Sequence, residues 1–349
     1  MNNNEKPQID WFIFVAGTAL LLTIVIPITL KPEWSFGVVN AAFSFLTQHL
    51  GVYYVIAACL IFVFLLWIAF SDLGGIVLGP ADLAPTHSKF SWGAMLFCTG
   101  IGASLIYWGA TEWAFYYIEP PFGVEPKSDE AISWASSYGI FHWGPIAWTL
   151  YCLPTVGFCC SYHIQKIPVL RLSAACSAVL KNQTDRWPGR LIDLLFIVGL
   201  LGTAATGMAF GTSLVSSAIT RLSGLPDDFR MQFVIMALST CLIAYSTYRG
   251  LDKGIKVLSV INASLALLLV TFVLMVGPTG FILEMGVTSL GHLSQNFIKM
   301  MTWTDPMGRA EFVENWTIFY WAWWLALGPF VGMFVAKISR GRTLREVIF

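Results

Sequence analysis

The chain has 349 residues, of which 56% are hydrophobic and 11% charged, with a mean hydropathy of +0.69, whereas an ordinary soluble domain is about 25% charged. Twenty Lys and Arg balance twenty Asp and Glu, so no global field draws in nucleic acid or any other highly charged partner. The composition excludes a soluble domain and points to an all-α polytopic membrane protein, since a chain crossing lipid as helices satisfies its backbone polar groups internally.

In chain order, MNNNEKPQIDW has neither a basic n-region nor a small-residue cleavage site, so a short cytoplasmic tail is expected there and not a signal peptide. Crossing about 30 Å of hydrocarbon takes about 20 mostly apolar residues. Eight stretches qualify: 11–30, 51–71, 91–117, 134–161, 191–220, 231–248, 256–277 and 312–336. With the N-terminus inside, the cytoplasmic segments hold fourteen of the twenty Lys and Arg and the outer segments six, which favours that orientation and an even helix count.

The third span reads FCTGIGASLIYWGATEW. Gly100, Gly102 and Gly109 weaken its helix, so Gly100-Ile101-Gly102-Ala103-Ser104 is either a close helix contact or an unwound stretch whose carbonyls face a ligand or ion. Glu112 follows as an intramembrane carboxylate, a functional group or a structural hydrogen-bond partner. In the fourth span, FHWGPIAWTLY, Trp143, Trp148 and Tyr151 share one side of a continuous helix, with Pro145 able to kink it. His142 reads as a packing or polar-network residue. The fifth span, GLLGTAATGMAFGTSL, suggests a tightly packed interior helix, or one whose Thr203, Thr206, Thr212 and Ser213 line a polar path.

Between Pro278 and Pro306, the residues Phe281, Met285, Leu293, Phe297 and Met300 recur like one helix face. An amphipathic helix on the outer interface or a buried loop helix is expected there. In the eighth span, WTIFYWAWW, the residues Trp316, Tyr320, Trp323 and Trp324 form a stripe, while Phe319 and Trp321 point elsewhere. Two opposed aromatic walls without a nearby acid suit a cation that cannot donate hydrogen bonds, above all a quaternary ammonium group. The seven cysteines lie mostly in apolar runs without metal-ligand spacing, and no catalytic motif organises the five scattered histidines, so no enzyme chemistry is expected.

These residues resemble the betaine/carnitine/choline transporter family. The match is strongest from Asn315-Trp316-Thr317 through YWAWW to GPFVGMFVAKISRGRTLREVI, and FHWGP and the third-span glycines match as well. The resemblance implies a leucine-transporter-like inverted-repeat fold of twelve spans, typically a homotrimer, in the bacterial inner membrane with the N-terminus cytoplasmic. It implies that Trp143, Trp148, Tyr151, Tyr320, Trp323 and Trp324 surround a small trimethylammonium substrate, and that Gly100, Ile101, Gly102, Ala103 and Ser104 contact its carboxylate end. In sodium-coupled members a sodium ion sits nearby, here near Gly100, Ile101 and Phe319; a proton is the alternative coupling ion, and no other cofactor is implied. Leu327 stands where an aromatic is common, and Asn262 and Val331 occupy the positions where a sodium-independent branch has arginine and methionine.

The expected organisation is a tail with two leading helices over 1–90, a first five-helix repeat over 91–277, an amphipathic interfacial helix over 278–306, and the first helix of a second repeat with a basic cytoplasmic segment over 307–349. On this expectation the chain is an N-terminal fragment, truncated after about eight transmembrane helices. As such it is expected to keep much of the binding box of a carrier for uptake or exchange of a quaternary-ammonium compound without being transport-competent by itself; the alternative is a non-transporting receptor or sensor.

Overall fold

A computed structural model describes residues 10–349 apart from positions 81, 101 and 309, so the expected N-terminal tail lies outside the described residues. Among the described residues, fourteen α-helices follow one another: α1 (Trp11–Leu30), α2 (Pro32–Phe70), α3 (Lys89–Gly100), α4 (Ala103–Ile118), α5 (Asp129–Trp143), α6 (Pro145–Cys159), α7 (Leu172–Ala175), α8 (Ser177–Leu180), α9 (Trp187–Ser223), α10 (Phe229–Tyr248), α11 (Lys256–Val276), α12 (Thr279–Thr302), α13 (Phe319–Ile338) and α14 (Leu344–Ile348). No strand occurs among the described residues. Asp10 caps α1 by accepting from the backbone N–H groups of Phe12 and Ile13, and a single residue, Lys31, separates α1 from α2.

Among the described residues, six helical stretches are long and apolar enough to cross a membrane: Trp11–Leu30, Pro32–Phe70, Trp187–Ser223, Phe229–Tyr248, Leu251–Val276 and Val313–Ile338. Counting the bent pair Lys89–Thr99 and Ser104–Ile118 as one span makes seven. The eight expected from hydropathy differ at 134–161, which divides at Gly144 into two 15-residue helices, α5 and α6, each short of the roughly 20 residues a straight span needs. The expected span 51–71 is the second half of a 39-residue helix, about 58 Å long.

The core forms where α13 packs along α6. Gly332 makes this possible: a Cβ there would lie 2.6 Å from the Thr155 nitrogen, and one at Gly328 would lie 3.2 Å from the Pro154 ring. Trp321, Tyr320, Tyr138, Phe141, Phe158 and Leu150 are fully buried around this contact. Elsewhere large apolar side chains face outward, such as Leu30 at 73% and Phe272 at 59% exposure, as lipid-facing helices require.

The fifth span departs from the tightly packed alternative. In α9 only Gly189, Asp193, Leu194, Thr212 and Ser216 are buried, and a Cβ at Gly199, Gly202 or Gly207 would meet nothing within 4 Å. Gly199, Gly202 and Gly207 therefore leave space beside the helix, where Thr203 and Gly207 border a cavity, and none of the three marks a close helix contact. The segment 278–306 does form a helix, α12, whose later turns bury Leu293, Met300 and Met301 while Phe281 near its start is 59% exposed. Lys299 lies 4.0 Å from the Phe122 ring centroid and 4.9 Å from that of Trp134 on α5, which adds a cation–π tie to the apolar contact.

The basic run after α13 is structural. Residues 341–344 pair antiparallel with 76–78, through Leu78 N–H to Arg342 O at 2.8 Å, Gly341 N–H to Leu78 O at 2.8 Å and Leu344 N–H to Ile76 O at 3.0 Å. Gly341 has φ +86°, and a Cβ there would lie 2.7 Å from Ala84 O, so the turn needs glycine. The buried Arg342 guanidinium stacks 4.0 Å from the Trp92 centroid and donates to His87 O at 3.1 Å. Arg345 donates to Ala69 O at 2.7 Å and Ser71 O at 3.3 Å, satisfying carbonyls left free at the end of α2.

Candidate functional site

Residues at two helix breaks border one cavity together with α13. The first separates α3 from α4: the helices meet at 62°, and Gly102 adopts an extended conformation, φ −109° and ψ −152°. No atom lies within 4 Å of a Cβ at Gly102 or Gly109, so neither marks a close helix contact, and the unwound alternative describes Gly102. Gly100 and Ala103 are the flanking ends of α3 and α4, Ser104 is buried in the first turn of α4, and Ile101 lies outside the described residues.

The second break is at Gly144, φ −99° and ψ −125°. A Cβ there would lie 2.3 Å from Ile140 O, and the following Pro145 has no N–H to continue the α5 ladder. Trp143 is thus the last residue of α5, while Trp148 and Tyr151 belong to α6. The single continuous face expected from their spacing does not exist, because the break resets the helical phase between them. The carbonyl released at His142 accepts instead from the Trp324 indole at 3.0 Å, which draws α13 onto the break.

The rings form a contiguous cluster and not two opposed walls. Trp143 meets Trp324, Tyr320 and Trp323 with centroids 5.0, 5.6 and 6.2 Å apart, each nearly edge to face. Trp324 meets Tyr151 at 5.7 Å, and Tyr151 meets Trp148 at 5.8 Å. Such contacts leave no room for a cation between the rings. The available space is a cavity of about 230 Å³ beside the cluster, lined by Trp143, Trp323 and Trp324 together with Gly102, Ser104, Thr99, Thr203, Gly207, Leu327 and Phe330. It is smaller than the ~300–1,000 Å³ of sites for drug-sized molecules and suits a small solute.

Of the residues singled out from sequence, the structure gathers Gly102, Ser104, Trp143, Trp323 and Trp324 around this cavity. Tyr320 and Tyr151 are buried within the ring cluster, at 0% and 2% exposure, and Trp148 stands beyond Tyr151. Phe319 packs on Phe43 of α2 at 6.4 Å and lines a separate cleft with Thr47 and Tyr54. Trp321 is buried against Phe141 and His142. Trp316 precedes Tyr320 in the stripe but packs on Trp108, Phe115 and Tyr116 of α4. It lies in a π-helical turn, Val313–Ile318, which is wider than the α-helix assumed in the spacing.

The expectation of a site without a nearby acid is overturned. The bend between α3 and α4 carries Glu112, 3% exposed, to the ends of α5 and α13. Its Oε2 accepts from Trp143 Nε1 at 2.8 Å and from the Tyr320 hydroxyl at 2.9 Å, and its Oε1 accepts from the Tyr116 hydroxyl. His142 completes the network, with Nδ1 2.8 Å from the Tyr116 oxygen and Nε2 3.1 Å from Thr317 Oγ1. Tyr116 escaped sequence reasoning, its i, i+4 spacing from Glu112 being the local signal for it, and Thr317 stood out only as part of the family match, without a role.

A larger groove of about 370 Å³ also borders Gly102, lined by Phe97, Leu105, Asn262, Leu265 and Leu269. Its mainly aliphatic walls suit lipid or another helix more than a polar solute. Among the described residues no three His, Cys, Asp or Glu side chains gather as a metal site; sodium takes carbonyl and hydroxyl oxygens, so this does not bear on it.

The family model of the BCCT, betaine/carnitine/choline family transporters, matches residues 12–349. The chain belongs to the BCCT family. Among its BCCT relatives, the "Carnitine transporter" of Acinetobacter baumannii is 34% identical over 348 residues, covering 100% of this chain and 63% of that protein. The "Glycine betaine transporter OpuD" of Bacillus subtilis is 36% identical over 346 residues, 98% and 66% of the two chains. The "High-affinity choline transport protein" of Escherichia coli is 33% identical over 349 residues, 99% and 51%. The chain thus spans between half and two thirds of the length of these BCCT proteins.

Proposed function

We propose that this chain forms the substrate-binding part of a secondary transporter for a small quaternary-ammonium compound of the glycine betaine, carnitine or choline class. The trimethylammonium head rests against Trp143, Trp323 and Trp324, and the polar end lies toward Gly102 and Ser104. The observation that carries this reading is the convergence of three indole rings on one cavity bordered by residues of two helix breaks. Each ring face contributes about 0.5–2 kcal/mol to a cation, more as water is excluded, and the names of the relatives give the substrate class.

The same reading includes a leucine-transporter-like arrangement, a homotrimer in the bacterial inner membrane, a cytoplasmic N-terminus and coupling to sodium or protons. Equilibrium binding of labelled glycine betaine, carnitine and choline to the purified chain tests it directly. Saturable binding of at least one is expected, and binding of none refutes it. Counterflow in vesicles with and without sodium, and across a pH gradient, tells transport from the alternative of a non-transporting receptor or sensor. The length matched in the relatives makes this second measurement necessary.

A further inference from the structure

We propose that the Glu112 carboxylate, hydrogen-bonded to the edge of the Trp143 ring, sets the preference of the cavity for a positively charged head over a neutral one of the same shape. The proposal rests on the reading of the cavity as a quaternary-ammonium site. Among the described residues, Trp143 is the one ring that both lines the cavity and donates its N–H to a buried carboxylate. Three donors converge on the two oxygens of Glu112, a pattern that matches the acceptor-only ionised group. Among the described residues no Lys or Arg pairs with it; the nearest ionisable base, His142, stands 3.9 Å away with both ring nitrogens already engaged.

An anion accepting from an indole N–H pushes electron density into the ring and makes its face more negative. Its own charge adds attraction through a medium poorer in screening than water. Glu112 does not line the cavity, so it acts on the substrate through Trp143 and through its field, without offering an acceptor to a primary ammonium. This favours a head group that carries charge but cannot donate.

The test compares two matched pairs of probes on the purified 349-residue chain in nanodiscs: glycine betaine with 3,3-dimethylbutanoate, and choline with 3,3-dimethylbutan-1-ol. In each pair a carbon replaces the nitrogen. Glu112→Gln is expected to cut the preference for the charged head over the carbon head roughly tenfold in each pair, while changing affinity for the uncharged 3,3-dimethylbutan-1-ol less than about twofold. Equal losses for both members, as a merely structural role would give, or an unchanged preference overturns the proposal. If neither glycine betaine nor choline binds the unaltered chain, this proposal falls, and the cavity reading falls with it when carnitine does not bind either, which keeps the two failures distinct. Should Glu112→Gln not fold, Trp143→Phe is compared with Trp323→Phe, whose N–H makes no such bond. A larger loss of preference in Trp143→Phe is expected, and equal losses overturn the proposal.

Discussion

The indole of Trp324 donates to the carbonyl oxygen of His142 at 3.0 Å, so one side chain of α13 both fills the aromatic cluster and satisfies the backbone that the break at Gly144 leaves open. Trp324→Phe keeps a ring and loses this bond. The unfolding midpoint is expected to fall by the equivalent of about 1–3 kcal/mol, because the His142 carbonyl stays buried without a partner. Differential scanning fluorimetry in detergent measures it.

The crossing of α6 and α13 depends on the missing side chain of Gly332. Gly332→Val places carbon within 2.6 Å of the Thr155 nitrogen and 2.8 Å of the Pro154 carbonyl carbon, backbone atoms that cannot swing aside. Destabilisation of at least about 1–3 kcal/mol is expected. Gly286→Ala on α12, where a Cβ meets nothing within 4 Å, should be neutral or slightly stabilising.

The cavity ranks the aromatic residues differently from their spacing. Trp323→Ala and Trp143→Ala are expected to weaken quaternary-ammonium binding at least tenfold, since each removes a lining ring face worth about 0.5–2 kcal/mol and opens the cluster. Trp148→Ala and Phe319→Ala, which do not touch the cavity, should weaken it less than about threefold by the same measure. Fluorescence titration or scintillation binding reads the order, and equal effects across the four would exclude the cavity as the site.

His87 sits in the loop before α3, 6% exposed, with its pKa held below the usual histidine value first by burial and then by the neighbouring charges of Lys256 and Arg342, against an opposing pull from Asp252. A folded-state pKa below the unfolded one favours the neutral ring. Its stabilisation is therefore complete above the unfolded value near 6.5 and is lost as pH falls through the lower folded value. Thermal midpoints measured from pH 7.5 down to 5 should drop, and the drop should be shallower in His87→Gln.

Arg342 holds the start of α3 to the segment after α13 by stacking on Trp92 while donating to His87 O. Arg342→Lys keeps the charge but loses the planar face and the fixed fork of donors. A loss of about 0.5–2 kcal/mol is expected, with faster proteolysis in the 71–88 loop as the local readout.

The sequence by itself determined the class of molecule and much of its chemistry. Hydropathy over about 20 residues identifies a lipid-crossing helix whatever surrounds it, and a ring every three or four residues makes the stripe from Tyr320 to Trp324. Helical periodicity also separated Phe319 and Trp321 from that stripe, because all these residues lie on one unbroken helix. Tertiary structure decided what the rings do. The break at Gly144 divided Trp143 from Trp148 and Tyr151, and the π-helical turn before Phe319 moved Trp316 toward α4. The bend after α3 delivered Glu112 to Trp143 and Tyr320, residues 31 and 208 positions away in the chain. Periodicity is a local property that holds only while a helix continues. A cavity is made by what lies across its breaks, and there the hydrogen bonds join residues that the sequence keeps far apart.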